Sequence, residues 1–157
     1  MAPEQLLSQL GAAMNLPQLA FDGNGCARLL VDGQVAVNFE LDPANEAIQI
    51  YSTLGPLPTQ GGEAVYLSLL EGNLFGAQTL GATLAVDSLY HEVVLCRTVP
   101  TADMDPAGFA TLVERFVAAA EGWTQKLQAA PAAAAAPARA DMPAAAESRL
   151  QSHFLRV

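Results

Sequence analysis

Two histidines, two cysteines and a few neighbouring carboxylates are the side chains here that could do chemistry, and their spacing argues against it. His91 and His153 belong to no cluster. His91 falls in an alternating run with Leu89 and Val93, which predicts a hydrogen-bonded strand histidine, with Glu92 directed to the opposite sheet face. Cys26 and Cys96 are 70 positions apart, which gives neither a disulfide framework nor a paired metal motif. Both are expected to be reduced, small buried hydrophobes, with Cys96 reactive only if Arg97 lowers its pKa. Asp103 and Asp105 precede a helix, where a carboxylate caps free N–H groups more readily than it holds a metal. No H-E-x-x-H, C-x-x-C or G-x-S-x-G pattern is present, and Gly72, Gly76 and Gly81 have neither G-x-G-x-x-G spacing nor a G-K-[ST] ending. The sequence therefore predicts no catalytic residue, no metal ligand, no cofactor and no enzyme.

Binding remains, and composition limits its kind. The 157 residues (16.4 kDa) suit one domain with a real core. Sixteen acidic against seven basic residues give a formal charge of −9: residues 1–127, with 14 acidic and four basic, are net −10, and the remainder is net +1. Such a field repels phosphate backbones, so no nucleic-acid partner is expected. It serves solubility, or a basic partner. No basic residue precedes Arg28, which argues against a secretory leader. No apolar run approaches the roughly 20 residues of a membrane helix. The expected setting is the cytosol.

The elements that must present a binding surface follow from periodicity. Pro3 to Met14 reads as a helix with Leu6, Leu7, Leu10 and Met14 on one side, its end marked by Gly11, then Asn15 and Pro17. A strand from Cys26 to Val31, an Asp32-Gly33 turn and a second strand with Val35, Val37, Phe39 and Leu41 alternating against polar neighbours predict a hairpin. A third strand, Ala47 to Leu54, is stopped by Gly55-Pro56-Leu57-Pro58. Tyr66, Leu67, Leu70 and Leu74 recur at helical spacing, and Gly72 inside that helix predicts a cost of about 1 kcal/mol against alanine. A strand from Ala82 to Val86, a tight turn near Asp87-Ser88 and a strand from Leu89 to Arg97 follow. A long helix from Pro106 carries Phe109, Leu112, Val113, Phe116, Val117, Ala120, Trp123 and Leu127. The stretch from Leu67 to Leu95 holds more apolar residues than one helix and one hairpin can bury alone.

That stretch also carries a resemblance. Leu69-Leu70-x-x-Asn73-Leu74-Phe75, then Thr79-x-Gly81-Ala82-Thr83-Leu84, then Val93-x-Leu95 resemble the signature of class I type III secretion chaperones, the CesT/Tir-chaperone-like proteins. The similarity spans about residues 4–127. It implies an α+β fold of order α-β-β-β-α-β-β-α, a twisted antiparallel sheet packed by helices, and a homodimer. It implies that Leu70, Leu74, Phe75, Leu80 and Leu84 form the dimer interface. Leu6, Leu10, Leu29, Val31 and Ile48 would line pockets for an effector's N-terminal segment, held extended and secretion-competent in the bacterial cytoplasm. A secretion ATPase or sorting machinery is a further implied partner. Two other readings stay open: a same-fold regulatory module binding a folded protein, and a small ligand-binding protein or enzyme with an unrecognised pocket.

Beyond Leu127 the composition changes. Residues 128–146 are Ala-rich and interrupted by Pro131, Pro137 and Pro143, which predicts a flexible linker. Arg149-Leu150-x-x-x-Phe154-Leu155 restores apolar spacing, which predicts either a frayed chain end or a short C-terminal helix that docks. The tail 128–157 is a docking arm for secretion machinery, a peptide shielding the pockets, or a passive extension, and the sequence does not choose among them.

Overall fold

The computed structural model describes residues 1–59 and 62–129, and the expectations for the tail beyond residue 129 lie outside the described residues. Helix α1 (Pro3–Ala13) leads to strands β1 (Cys26–Val31), β2 (Val35–Asp42) and β3 (Ala47–Pro56). Helix α2 (Glu63–Asn73) and a single 3-10 turn (Leu74–Gly76) then precede β4 (Thr83–Asp87), β5 (Glu92–Pro100) and the long α3 (Pro106–Ala129). The five strands form one antiparallel sheet in the order β1-β2-β3-β5-β4, which leaves β1 and β4 as edges. This is the α+β order expected from the sequence.

Local chemistry explains most boundaries. Asn15, at φ 57°, ends α1; its N–H donates to Ala12 O (3.2 Å) and that of Leu16 to Gly11 O (2.7 Å), the paired closure of a Schellman motif. At the first hairpin Asp32 and Gly33 both take positive φ (49° and 69°), and Gln34 N–H donates to Val31 O at 3.0 Å. Asp105 caps α3, its Oδ1 accepting Gly108 N–H at 2.7 Å, with Pro106 in the first helical position. The period of two in β2 puts Val35, Val37 and Phe39 into the core with Ile48 and Ile50 of β3. Against them α3 sets Phe109, Val113, Phe116 and Ala120, and the Phe39 and Phe109 rings meet at 6.3 Å, tilted by 51°. The polar residues of β2 that are shielded from water have partners: Asp42 accepts from the side chains of Asn45 and Gln49, each at 2.9 Å. Those bonds hold its carboxyl below the usual range.

Three expectations are corrected. First, β3 continues through Gly55 to Pro56, because a register shift between Thr53 and Gly55 lets Gly55 pair with Val93 and Pro56 with Glu92. Second, β5 begins at Glu92, not Leu89. The Asp87 carboxylate accepts the N–H groups of both Leu89 (3.0 Å) and Tyr90 (3.1 Å), which curls residues 88–91 into a longer turn. His91 therefore sits exposed in that turn at φ 56°, not on a strand.

The third correction concerns Gly72. A Cβ there would lie 2.2 and 2.6 Å from two ring atoms of Trp123 and 2.9 Å from Leu84 Cδ1. Gly72 is thus the contact that lets α2 approach α3 and β4, and its absent side chain outweighs its poor helix propensity. Gly72→Ala should destabilise by about 1–3 kcal/mol through overpacking and lower Tm by about 4–12 °C. Helix propensity alone would give a rise; thermal unfolding separates the two signs.

Candidate functional site

Among the described residues two apolar surfaces stand out on this frame. The first is built by α2 and its following turn. Leu69 and Gly72 face inward, and Asn73 fixes the end of the helix to edge strand β4. Its Nδ2 donates to Leu84 O (3.0 Å) and its Oδ1 accepts Leu84 N–H (2.8 Å), so one amide side chain satisfies both outward backbone groups of that residue. The following loop is held from the other side. Trp123 Nε1 donates to Gln78 O at 2.9 Å, Lys126 Nζ lies 4.1 Å above the Trp123 ring, and Arg97 Nη1 donates to Leu80 O at 3.3 Å.

With that side of α2 engaged, its other side carries Tyr66, Leu67 and Leu70 outward, and Leu74 follows in the next turn, the three leucines at 58%, 69% and 64% exposure. Phe75 is 97% exposed and sits at φ 54°. A bulky side chain in the left-handed region costs about 1–3 kcal/mol and marks a site where surroundings impose the geometry. Of the residues the sequence assigned to self-association, Leu70, Leu74 and Phe75 are adjacent and exposed. Leu80 is half-buried at φ 53°, and Leu84 turns into the core. Exposed apolar side chains clustered in this way mark an interaction surface.

The second surface is a groove of about 380 Å³ between the C-terminal half of α1, the end of edge strand β1 and the middle of α3. Leu10 and Met14 come from α1, Leu29 and Val31 from β1, Val113 and Val117 from α3. Of the residues the resemblance assigned to partner pockets, Leu10, Leu29 and Val31 line this groove, Val31 half-buried and Leu10 and Leu29 buried at its floor, whereas Leu6 and Ile48 lie wholly inside the core. Asp32, Glu114 and Glu121 also line the groove. Val113 and Val117 were legible only as part of a core stripe; the excess width of that stripe is the signal that one margin of α3 faces a groove. Met14, which shares a side of the first helix with Leu6, Leu7 and Leu10 in the sequence reading, is its C-cap and is 39% exposed.

The titratable side chains inside the fold are structural. Cys26 is buried, with Sγ 3.7 Å from Glu40 Oε1. Burial, then the charges of Glu40 and Asp22, push its thiol up to about 11. Burial also raises the Cys96 thiol, so the neighbouring Arg97 does not activate it. Among the described residues no group of three or more His, Cys, Asp and Glu side chains is placed to hold a metal ion. No helix among them is long and apolar enough to cross a membrane.

A single sheet with an open apolar groove at one edge and an exposed apolar helix at the other is the layout of a protein-binding module. The chain belongs to the Tir chaperone protein (CesT) family, whose profile matches residues 5–124. A protein of Chlamydia pneumoniae is 30% identical over 126 residues, covering 79% of this chain and 95% of the relative. Among solved structures, a chain of the ExsC–ExsE complex superposes with a TM-score of 0.68 at 23% identity, covering 81% of this chain and 94% of that one. A chain of the ExoT–SpcS complex of Pseudomonas aeruginosa gives 0.59 at 26% identity, covering 78% and 98%. The Yersinia pestis type III secretion chaperone SycH, in complex with a fragment of YscM2, gives 0.60 at 18% identity, covering 76% and 98%. These likenesses place the fold among type III secretion chaperones, a family of binding proteins.

Proposed function

We propose that this chain is a type III secretion chaperone that acts in the bacterial cytoplasm as a homodimer and binds the N-terminal segment of a secreted effector in extended form. The observation that carries this reading is the open groove of about 380 Å³ beside an unpaired sheet edge. An extended client can pair its backbone with β1 while alternate side chains enter the groove. Leu10, Leu29 and Val31 are the anchoring wall, with Leu6 and Ile48 packed in the core behind. Each client side chain fully buried there contributes about 1.5–3 kcal/mol. Because the client gives up its own packing to make these contacts, it stays non-globular and able to enter a narrow secretion channel. Binding energy alone does this work, so no nucleotide or cofactor is required.

Self-association uses the other edge. Leu70, Leu74 and Phe75, supported by Leu80 and Leu84, meet their symmetry mates across a two-fold axis. The dimer then presents two grooves, and a long client segment can engage both, which raises avidity without any new contact. Titration calorimetry with two fragments of one secreted protein tests the reading. Its N-terminal segment should bind, and its folded remainder should not. Binding by the folded remainder alone would instead favour a module that recognises folded partners.

A further inference from the structure

The groove has a charge pattern that client anchoring does not require. Its polar rim is acidic at Asp32, Glu114 and Glu121, and among the described residues no lysine or arginine lines it. An occupant matched to it is a short apolar segment flanked by cations. The chain itself contains one: Arg149-Leu150-Gln151-Ser152-His153-Phe154-Leu155-Arg156-Val157 has four apolar residues, arginines near both ends and no acid. In residues 1–127, by contrast, only four basic residues are spread through 14 acidic ones.

Reach is compatible with docking. The described part of α3 ends at Ala129, and Glu121 and Val113 lie about 12 and 24 Å back along the helix at 1.5 Å per residue. Nineteen residues separate Ala129 from Arg149. Nineteen residues of random coil would span about 24 Å root-mean-square, and fully extended about 63 Å. The span matches the distance, the condition under which a tethered segment reaches an effective concentration of about 1 mM.

We propose that residues 149–157 occupy the α1–β1–α3 groove of their own chain, with Leu150, Phe154 and Leu155 in the apolar trough and Arg149 and Arg156 against the acidic rim. The groove is then covered until a client displaces the segment. The docking itself does not depend on what the client is; only its role as a competitor rests on the chaperone reading.

The test uses the full chain. Substituting Leu150→Asp, Phe154→Asp and Leu155→Asp together alters only the tail and should leave the domain folded. Methyl NMR should then show shifts at Leu10, Leu29, Val31, Val113 and Val117, with Val86 at the far edge unchanged. A labelled peptide of residues 147–157 should bind this variant about tenfold more tightly than it binds the wild type, since a tethered competitor at about 1 mM raises a dissociation constant of about 100 μM by that factor. Adding Glu114→Lys and Glu121→Lys to the variant should weaken its binding of the peptide. Groove methyls identical in wild type and tail variant, together with equal peptide affinity, would overturn the proposal. Groove shifts lost from the wild type on dilution would overturn docking within one chain and assign the segment to a second copy. Peptide binding indifferent to charge reversal at Glu114 and Glu121 would overturn the assignment of this groove.

Discussion

Replacing Leu74 with glutamate should leave each chain folded and convert the proposed dimer to monomers. Leu74 is 64% exposed on a single chain, so the substitution alone should change monomer stability by no more than about 0.5 kcal/mol. In a two-fold interface the same carboxylate is buried, and it meets its own symmetry mate. An uncompensated buried charge costs about 3–5 kcal/mol, a hundredfold or greater rise in the dissociation constant. Wild-type sedimentation at micromolar concentration should give about twice the 16.4 kDa chain mass, and Leu74→Glu should give the single-chain mass with an unchanged far-UV spectrum. A wild-type monomer would remove the dimer from the proposal and leave the exposure of Leu70, Leu74 and Phe75 to another partner.

The second large effect is expected in the groove. Val31→Asp or Val117→Asp should weaken client binding at least tenfold, whereas moving from low to physiological salt should weaken it only a few-fold. Both valines are half-buried on the groove wall, so aspartate can reach water in the free protein and the fold is retained. When a client covers the wall, the carboxylate loses that water and an apolar anchor worth about 1.5–3 kcal/mol is lost with it. The acidic rim contributes about 0–1 kcal/mol per exposed pair, and salt screens that share. Calorimetry with a client's N-terminal segment at two ionic strengths compares the two contributions. Binding abolished by salt but indifferent to both aspartates would make the rim the driver and displace Leu10, Leu29 and Val31 as anchors.

The elements were more legible in the sequence than their orientation. The wide stripe of α3 and its Asp105 cap were readable because period and capping are local. For α2 the period was also readable, but not which side packs inward. Apolar residues occur around much of its circumference, and the deciding contacts are long-range: Gly72 against Trp123, and the Asn73 amide against β4. Gly72 looked like a helix defect because the cost of a glycine is local, whereas the clash of its replacement is tertiary. His91 was misplaced for a similar reason. Its alternation with Leu89 and Val93 is genuine, yet two N–H bonds to Asp87 override it. The groove was partly legible, since Leu10, Leu29 and Val31 do line it. Val113 and Val117 were not distinguished from the core, because a helix stripe shows no seam where sheet contact gives way to an open margin.

The most direct test of client binding in this groove is site-specific photo-crosslinking in the source bacterium. The crosslinker is placed at Met14, exposed on the groove, and as a control at Asp103, exposed outside it. The expected result is crosslinks from Met14, absent from Asp103, that map to the N-terminal segment of a secreted protein. Equal crosslinking from both positions, or crosslinks from Met14 only to folded domains, would contradict a groove built to hold an extended client.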